Sequence, residues 1–373
     1  MKGDPIGMER MAEFEQKQAH VQALLEREDL QALLLQRVSS FAWATCGAAS
    51  YVNTAATDGA ASLLITPSGR YLLTNNIEAT RLDQEERLTE QGWEFWAIPW
   101  HEAYTAVADL TRGLRFAADG PYPGARDLGL EIGRMRAALT PQEGDRFRIL
   151  GRLCAEAMQA AAMAARPGQT EHEIAGRLAL EAERRGVQAI VNLVASDDRV
   201  FSFRHPLPTQ RKLERHLMLV LCGRRWGLVC SITRLVYFGR LPLDLRRKAE
   251  AVARVDATLI AATRPGRILG EVLQQGLAAY AESGYPEEWQ HHHQGGPAGY
   301  EPREIVATPH SPEVVGAGQV FAWNPSIRGT KSEDSVLITE TEPEVLTAIA
   351  GWPTVEIAMD GRRFQRPAIL EHG

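Results

Sequence analysis

Three consecutive histidines, His291 to His293, are the residues of this sequence whose types most directly suggest chemistry. They lie in the segment WQHHHQGGPAGYEPRE, residues 289–304, and a hydrophobic core has no need of such a composition. Neutral imidazole is a common transition-metal ligand, so the run suggests metal binding. Neighbours on an extended chain point to opposite faces, so only His291 and His293 are expected to share one ion. A solvated histidine-rich loop is the alternative.

Length and composition limit the class of protein. A chain of 373 residues is longer than the chains that usually fold around one hydrophobic core, so we expect two domains. Apolar residues at 45% and charged residues at 24% are typical of a soluble globular protein. The net charge of −6, without a basic block, argues against nucleic acid as a partner. No apolar run reaches membrane-spanning length and the first residues lack a signal-peptide core, so we expect no membrane partner and a cytoplasmic location.

The first part of the chain alternates helix and strand patterns. Apolar residues at helical spacing from Met11 to Leu25 predict an amphipathic surface helix. The run LQALLLQ predicts a buried strand, and two apolar runs joined by Pro67-Ser68-Gly69 predict a hairpin with a loop longer than the tightest type. Further helices are predicted near residues 78–91 and 102–113, with strands at 93–100 and 115–120. Together they predict a compact α/β domain over residues 1–138.

The second part, residues 139–373, contains an internal repeat. A helix predicted over about residues 141–165 leads into Arg-Pro-Gly at 166–168, and the same tripeptide recurs at 264–266. In both copies a second helix follows, and a glycine closes it as a C-terminal cap would. Strands are predicted at residues 189–196, 216–221, 228–238, 319–324 and 335–340. Two similar halves predict pseudo-twofold packing of helices on a shared sheet, with a ligand site at the seam between them.

The order of these pieces resembles the family of creatinase, aminopeptidase P and prolidase, whose catalytic half has the pita-bread fold. The most specific matching stretches are RPGQTEHEI (166–174), CSITR (230–234), residues 292–304 and KSEDSVLIT (331–339). The resemblance implies a mixed α/β (α+β) fold, with a creatinase-type N-terminal domain over residues 1–138 and a pita-bread catalytic domain over residues 139–373. It also implies a homodimer in which the N-terminal domain of one subunit lines the site of the other.

The resemblance also identifies the positions at which the family's peptidases bind two divalent metals. Those peptidases use two Asp, one His and two Glu, because hard carboxylate oxygens suit such a pair of ions. Here the Asp positions are Leu221 and Ser231, the His position is Gly296, and the first Glu position is Asn324. Only the last ligand matches, as Glu333. The sequence therefore predicts a site without a dinuclear metal centre or any other cofactor.

Other residues that the family resemblance places in the site are present. His205 occupies the position of a histidine that acts as the proton shuttle in creatinase, an enzyme of this fold that works without metal. His292 matches the first histidine of the family's His-x-x-Gly segment, so the predicted catalytic residues are His205, His292 and Glu333. The predicted substrate-binding residues are Arg234, Arg303, Glu304 and Asn324, with an arginine receiving a substrate carboxylate.

Structural roles are the alternatives for some of these residues. His205 would then be a histidine satisfied by a backbone carbonyl. A buried Glu333 would pair with a cation such as Arg303 or Arg234, because an unpaired buried charge is costly. The glycines of the segment are expected to let another strand or a ligand approach the backbone.

His291 and His293 match no family motif, so solvent exposure is the favoured account of both, with the alternative that one of them faces the cavity. Cys222 and Cys230 lie beside two of the lost ligand positions. A cysteine and a histidine can form a nucleophile and base, but packing within strands is the favoured role of these thiols.

Three functional hypotheses follow. The favoured one is a metal-free relative of creatinase and the Xaa-Pro peptidases that binds, or hydrolyses a C–N bond of, a small amide, amidine, amino-acid or dipeptide substrate. The second is a pseudoenzyme whose pocket binds a peptide or other ligand without turnover. The third is an Xaa-Pro dipeptidase or aminopeptidase with a displaced metal site built from residues 291–293 with His205 and Glu333. In each case the expected partner is a small-molecule or short-peptide ligand.

Overall fold

A computed structural model describes residues 5–359 and 361–372 of the protein, and these residues form two compact units. The first contains the described residues up to Arg136 together with Trp226–Leu228. The second contains Ala137–Arg225 and the described residues from Val229 onward. The boundary after residue 138 and the creatinase-type assignment of the first domain stay predictions. No helix in the described ranges is long and apolar enough to cross a membrane.

The first unit is a six-stranded mixed sheet with helices. Its elements are α1 Pro5–Arg27, β1 Ala32–Arg37, α2 Val38–Ala44, β2 Asp58–Thr66, β3 Gly69–Asn75, α3 Ala79–Gln84, β4 Glu94–Ile98, α4 Ala106–Leu110, β5 Phe116–Ala118, β6 Arg126–Asp127 and α5 Gly129–Ala137. The strand order is β4-β3-β2-β1-β5-β6. Strand β2 is antiparallel to both of its neighbours, and the other pairs are parallel.

Local turn chemistry shortens several predicted elements of this unit. The hairpin of β2 and β3 is confirmed, but Thr66 pairs with Gly69, so its loop has only two residues rather than the longer loop predicted. The Ser68 hydroxyl lies 2.8 Å from the Thr66 hydroxyl and stabilises this tight turn. The helix predicted near residues 78–91 is α3 followed by a 3₁₀ turn at Thr89–Gln91, because the chain reverses at Arg87, whose φ is 58°.

The second unit carries two four-stranded sheets and the longest helix of the described chain. Its elements are α6 Pro141–Ala164, α7 Glu171–Glu183, β7 Gln188–Ser196, α8 Asp198–Ser202, β8 His216–Arg225, β9 Leu228–Phe238, α9 Leu243–Ala262, α10 Leu269–Glu282, β10 Gly295–Ala298, β11 Val320–Trp323, β12 Ser326–Ile327, β13 Thr330–Lys331, β14 Asp334–Leu337, β15 Glu344–Val345, β16 Thr354–Met359, β17 Arg362–Pro367 and β18 Leu370–His372. The sheets have the orders β18-β9-β8-β7 and β10-β11-β14-β15.

The internal repeat predicted from the two Arg-Pro-Gly tripeptides is confirmed. In the first copy, the N–H of Gly168 donates to the carbonyl of Leu213 at 2.8 Å. In the second copy, the N–H of Gly266 donates to the carbonyl of Val315 at the same distance. Both glycines have positive φ, 92° and 84°, as turns that bring two long helices together require. The pairs α6–α7 and α9–α10 are therefore built in the same way.

The seam between the two sheets differs from the single shared sheet that the repeat predicted. Where the sheets meet, Thr233 and Glu333 form an isolated bridge, with a hydrogen bond of 3.2 Å from Thr233 N–H to the Glu333 carbonyl. Beside it, the hydroxyl of Ser335 accepts from the N–H of Ser231 at 2.9 Å and replaces a backbone partner. A side-chain hydroxyl here accepts the hydrogen bond that a backbone carbonyl accepts in a regular sheet. A strand pattern in the sequence does not reveal this replacement.

The contact of α6 with the chain near Leu346 gives a test of the packing. A Cβ added at Gly151 would lie 2.5 Å from the Leu346 carbonyl oxygen. We therefore expect Gly151→Ala to lower the free energy of unfolding by about 1–3 kcal/mol, as overpacking does. The control is Gly176→Ala in α7, where a Cβ would meet nothing within 4 Å. It should leave stability unchanged or raise it by up to about 1 kcal/mol, and equal urea midpoints for the two variants would contradict this packing.

Candidate functional site

Glu333, at the seam between the sheets, is a buried carboxylate with two cationic partners. Its side chain is 2% exposed. The guanidinium of Arg303 lies 2.9 Å from Oε1, and the ammonium of Lys331 lies 2.7 Å from Oε2. The hydroxyl of Thr233 also donates to Oε2. Both oxygens therefore accept from this chain's own side chains, and the role of Glu333 in holding a substrate nitrogen stays a prediction.

The charges around Glu333 decide its ionisation. Burial alone would raise the pKa of this carboxyl group, because the charged form loses its hydration. The fields of Lys331 and Arg303, with hydrogen bonds from Lys331 and Thr233, outweigh burial and lower the pKa to about 2. Glu333 is therefore an anion at neutral pH, and it cannot act as a general acid there.

The residues around Glu333 are brought together by strand geometry and one loop. Lys331 and Glu333 are two positions apart on an extended segment, so their side chains point the same way. Arg303 comes from the loop after β10, and its Nη1 donates to the hydroxyl of Ser231 at 3.1 Å. The Ser231 hydroxyl in turn lies 3.4 Å from the thiol sulfur of Cys222. Ser231, at one of the family's Asp positions, thus carries a hydroxyl that accepts a hydrogen bond from Arg303.

The register of the β8–β9 hairpin places Cys222, rather than the predicted Leu221, at the first Asp position of the family. Its turn consists of Trp226 and Gly227, with φ of 54° and 75°, as in a two-residue type I′ turn. This register sets Cys222 opposite Ser231, in agreement with their side-chain contact. Leu221 then points to the other face of the sheet, because neighbours alternate along a strand. Cys222 therefore takes the place beside Ser231 that the motif match gave to Leu221.

The environment of Cys222 also removes the nucleophile alternative. Burial raises the pKa of its thiol to about 11, and the charge of Glu333 adds to the effect. The polar side-chain contact described for its sulfur is the hydroxyl of Ser231. A thiolate is the reactive form of cysteine, so this thiol is inert at neutral pH. Cys230 is fully buried and packs in β9 as expected.

Gly296, the position of the family's metal-binding histidine, has no room for a side chain. Its φ is 150°, and an added Cβ would lie 2.2 Å from the carbonyl oxygen of Ile305. At Gly295 the corresponding distance to the carbonyl oxygen of Ala322 is 2.1 Å. The prediction that these glycines admit a close backbone approach is confirmed, since the N–H of Ala307 donates to the carbonyl of Gly295 at 2.9 Å.

Asn324, the position of a metal-binding glutamate, is 2% exposed. Within the described ranges, its Oδ1 atom and the Nε atom of Arg303 are buried without a hydrogen-bond partner. Buried polar atoms without partners are costly and uncommon. The substrate-binding role of Asn324 and Arg303 stays a prediction.

Three histidines converge beside this ion-paired group. The Nε2 atoms of His205 and His292 are 3.1 Å apart. His293 joins them, and one ring nitrogen of each residue lies within 4.8 Å of the others. The chain bends at His292, which removes the alternation that was expected to separate it from His293. The side-chain amide of Gln294 fixes the bend by donating to the carbonyl oxygens of His292 and Trp289.

The three imidazoles are neutral at neutral pH. Burial, together with the nearby ammonium of Lys331, lowers the pKa of His292 to about 2. Burial and the charge of Arg303 lower the pKa of His293 to about 4. Burial, with Lys331, also lowers the pKa of His205 from its ordinary value. Each ring therefore keeps a nitrogen lone pair that can accept a hydrogen bond or bind a metal ion.

Two predicted substrate-binding residues have structural roles instead. Arg234 is 2% exposed and donates to Asp334 at 2.7 Å and to the carbonyl of Thr347 at 2.9 Å. Arg234 is therefore engaged behind the pocket and cannot orient a substrate carboxylate. Glu304 accepts hydrogen bonds from the backbone N–H groups of Tyr300 and Glu301, so it closes its own loop.

His291 stands apart from its two neighbours in the run. It ends the 3₁₀ turn of residues 288–291 and is exposed. The group of three includes His205, His292 and His293 but not His291. The predicted solvent exposure of His291 is confirmed, and His293 is the one of the two flanking histidines that lies with His205 and His292, a choice that the sequence had left open.

Comparisons with known proteins agree with this architecture. The sequence model of Metallopeptidase family M24 matches residues 145–340. An uncharacterized peptidase of Staphylococcus aureus (strain MW2) is 25% identical over 232 residues, which span 59% of this chain and 65% of that relative. The prolidase from Pyrococcus horikoshii OT3 has a similar structure, with a TM-score of 0.75 and 18% identity over 91% of this chain and 98% of that one.

The Xaa-Pro dipeptidase from Bacillus anthracis is also similar in structure, with a TM-score of 0.75 and 16% identity over 98% of this chain and 100% of that one. The chain belongs to metallopeptidase family M24. The predicted family and the predicted α/β pita-bread fold are confirmed.

The donor groups of this chain do not fit a dinuclear metal centre. The five ligand positions carry a neutral thiol, a hydroxyl, a glycine, an amide and one carboxylate, at Cys222, Ser231, Gly296, Asn324 and Glu333. The carboxylate is already neutralised by two cations, and the backbone near Ile305 closes the space for a histidine at Gly296. Two dications need several hard anionic oxygens, so the side chains at these positions are the wrong donors.

Sequence reasoning missed Lys331, Cys222 and the contribution of His293. The spacing of Lys331 and Glu333, two residues apart at a strand, is a signal that would have placed both on one face. Trp226-Gly227 followed by an apolar strand is a weaker signal for the tight turn that directs Cys222 inward. The bend at His292 has no comparable signal.

The ion pairs of Glu333 predict a pH-dependent stability. Lowering the pKa from 4.5 to about 2 corresponds to roughly 3 kcal/mol of stability. That contribution is complete above the unfolded-state pKa and disappears as pH falls from about 4.5 toward 2. We therefore expect Glu333→Gln to unfold more easily than the unaltered protein at pH 7, with a difference in urea-unfolding free energy that shrinks steadily below pH 5.

Glu344→Gln is the matched control, because Glu344 forms an exposed ion pair with Arg148. Its substitution should change stability by less than about 1 kcal/mol at either pH. The difference in unfolding free energy between Glu333→Gln and the unaltered protein could instead stay constant from pH 7 to pH 3. That result would show that Arg303 and Lys331 do not stabilise the charged form of Glu333.

Proposed function

We propose that this protein is a ligand-binding member of family M24 that lacks the dinuclear centre and whose pocket accepts the carboxylate of a short peptide or amino-acid derivative. The observation that supports this proposal is the pairing of Glu333 with both Arg303 and Lys331. Two cations and one anion leave one positive charge near the seam. The pocket is therefore suited to an anion, and it does not attract a pair of dications.

The electrostatics give the expected size of the effect. A carboxylate about 6 Å from one net positive charge gains roughly 3 kcal/mol at an effective dielectric constant of 20. The three neutral imidazoles nearby add hydrogen-bond donors without changing the charge. The buried Oδ1 of Asn324 can accept from the nitrogen of the same ligand, since it has no partner among the described residues. Charge and hydrogen bonding thus favour a ligand with a carboxylate and an amide or amine.

Binding of Ala-Pro and of its C-terminal amide, in the presence of a chelator, tests this proposal. Calorimetry should detect Ala-Pro, and the amide should bind at least about tenfold more weakly because it lacks the anionic group. Lys331→Met should weaken Ala-Pro binding by a similar factor. The control is Lys212→Met, which removes a lysine that is exposed on a loop of the same unit.

Equal affinity for the acid and the amide would contradict recognition of a carboxylate. Loss of binding in Lys212→Met as large as in Lys331→Met would show that overall charge, rather than this pocket, attracts the ligand. Binding that requires added Mn²⁺ would contradict the proposal as well.

Metal-free hydrolysis of a C–N bond is the second candidate function. The observation that favours it is the position of His205, an exposed neutral imidazole whose Nε2 lies 3.1 Å from that of His292. Such a ring can take a proton from an attacking water, and His292 can orient it. The substrate of this reaction would be the same amide, amidine or dipeptide class.

Turnover measurements separate this candidate from binding alone. If hydrolysis occurs, cleavage of Ala-Pro should persist in chelator and fall at least about a hundredfold in His205→Ala. His291→Ala is the control, because this exposed histidine lies outside the group of three. Cleavage that His205→Ala leaves unchanged would remove His205 from any catalytic role.

Homodimer formation and a cytoplasmic location stay predictions.

A further inference from the structure

His205, His292 and His293 form a group of possible metal ligands that is separate from the five family positions. His205 lies in the loop after α8, and the other two follow the 3₁₀ turn of residues 288–291. Their ring centroids are 4.6–5.8 Å apart. No carboxylate belongs to the group, so its ligand chemistry is that of imidazole alone.

The spacing of the ring nitrogens suits one tetrahedral ion. Zinc binds imidazole nitrogen at about 2.0–2.1 Å, so two ligands of one tetrahedral zinc ion are about 3.3 Å apart. The Nε2 atoms of His205 and His292 are 3.1 Å apart, and His293 offers a nitrogen within 4.8 Å of both. A small rotation of the His293 ring would bring the third donor into the same coordination shell.

The surroundings of His292 orient its ring toward the group. Its Nδ1 atom lies 3.5 Å from the hydroxyl oxygen of Ser326, which directs the Nε2 atom toward His205. The amide of Gln294 holds the His292 backbone, and the hydroxyl of Tyr280 donates to the Gln294 side chain at 2.9 Å. Metal-binding histidines commonly have such supporting contacts, because a fixed ring is a better ligand.

We propose that His205, His292 and His293 bind one divalent transition metal, such as Zn²⁺, through three imidazole nitrogens and leave a fourth position open to solvent or to a ligand. Imidazole suits zinc, copper and nickel, whereas magnesium and calcium prefer oxygen ligands. The site is mononuclear and does not include Glu333. It goes beyond the proposed carboxylate binding and does not depend on it.

The nearby charges set the strength of this site. The field of Arg303 and Lys331 opposes a cation, and Glu333 offsets part of it. With one uncompensated positive charge nearby, three neutral ligands should bind zinc less tightly than closed structural sites do. An anion at the open position would reduce the repulsion, so the metal and a carboxylate ligand should strengthen each other's binding.

Titration of the chelator-stripped full chain with ZnCl₂ tests the site. Calorimetry should give one equivalent of bound zinc. His292→Ala and His293→Ala should each weaken binding at least tenfold. The matched control is His291→Ala, which removes a neighbouring histidine that is exposed and lies outside the group. It should keep the affinity of the unaltered chain within about twofold.

The variants also separate loss of ligands from loss of structure. His293 is exposed, so its substitution tests the site even where His292→Ala, at a buried position, fails to fold. Thermal unfolding of the metal-free variants serves as the fold control. If His291→Ala weakens zinc binding as much as His293→Ala, or if the unaltered chain binds no zinc, the proposal is overturned. Ala-Pro binding in chelator is measured separately, so either proposal can fail alone.

Discussion

The pairing of Glu333 with Arg303 and Lys331 is the interaction on which the character of the pocket depends. A buried carboxylate needs opposite charge, and removing one partner of a buried ion pair typically costs about 3–5 kcal/mol. The family resemblance implies that divalent metals supply that charge at this position in the metallopeptidases. Here two side chains of the chain itself supply it. These two ion pairs balance the charge of Glu333 and make its carboxylate a poor ligand for the dications that we propose the site has lost.

The strand that begins after Glu333 is fixed from its other face as well. Asp334 points away from the pocket and pairs with Arg234 and Arg366, both at 2.7 Å. Arg366 also pairs with Asp256 at 2.6 Å, so four buried charges balance behind the seam. Glu333 and Asp334 are thus neighbours in sequence but belong to two separate groups of ion pairs. These ion pairs restrict rearrangement around Glu333, whereas the exposed His205 and His293 belong to neither ionic group.

Much of the fold, and part of the site, followed from the sequence. The repeated Arg-Pro-Gly tripeptide predicted the paired helices, and the motif matches placed Ser231 and Gly296 at the seam. The residue of β8 that faces Ser231 is Cys222 and not the predicted Leu221. The two-residue turn at Trp226 and Gly227 sets the register of β8 against β9, and the motif match did not include that turn. His293 was missed because alternation fails where the chain bends at His292. The partner of Glu333 was left open between two arginines, since charge pairing between distant segments is decided by packing rather than by spacing.

Anomalous X-ray diffraction from crystals grown with excess Mn²⁺ tests the central claim most directly. If side-chain cations have replaced the dinuclear centre, the Arg303 and Lys331 side chains should remain in density against Glu333, with no manganese peak within coordination distance of its carboxylate. Two peaks about 3.5–4 Å apart beside Glu333, the separation typical of two-metal sites, with Arg303 and Lys331 displaced, would contradict the account.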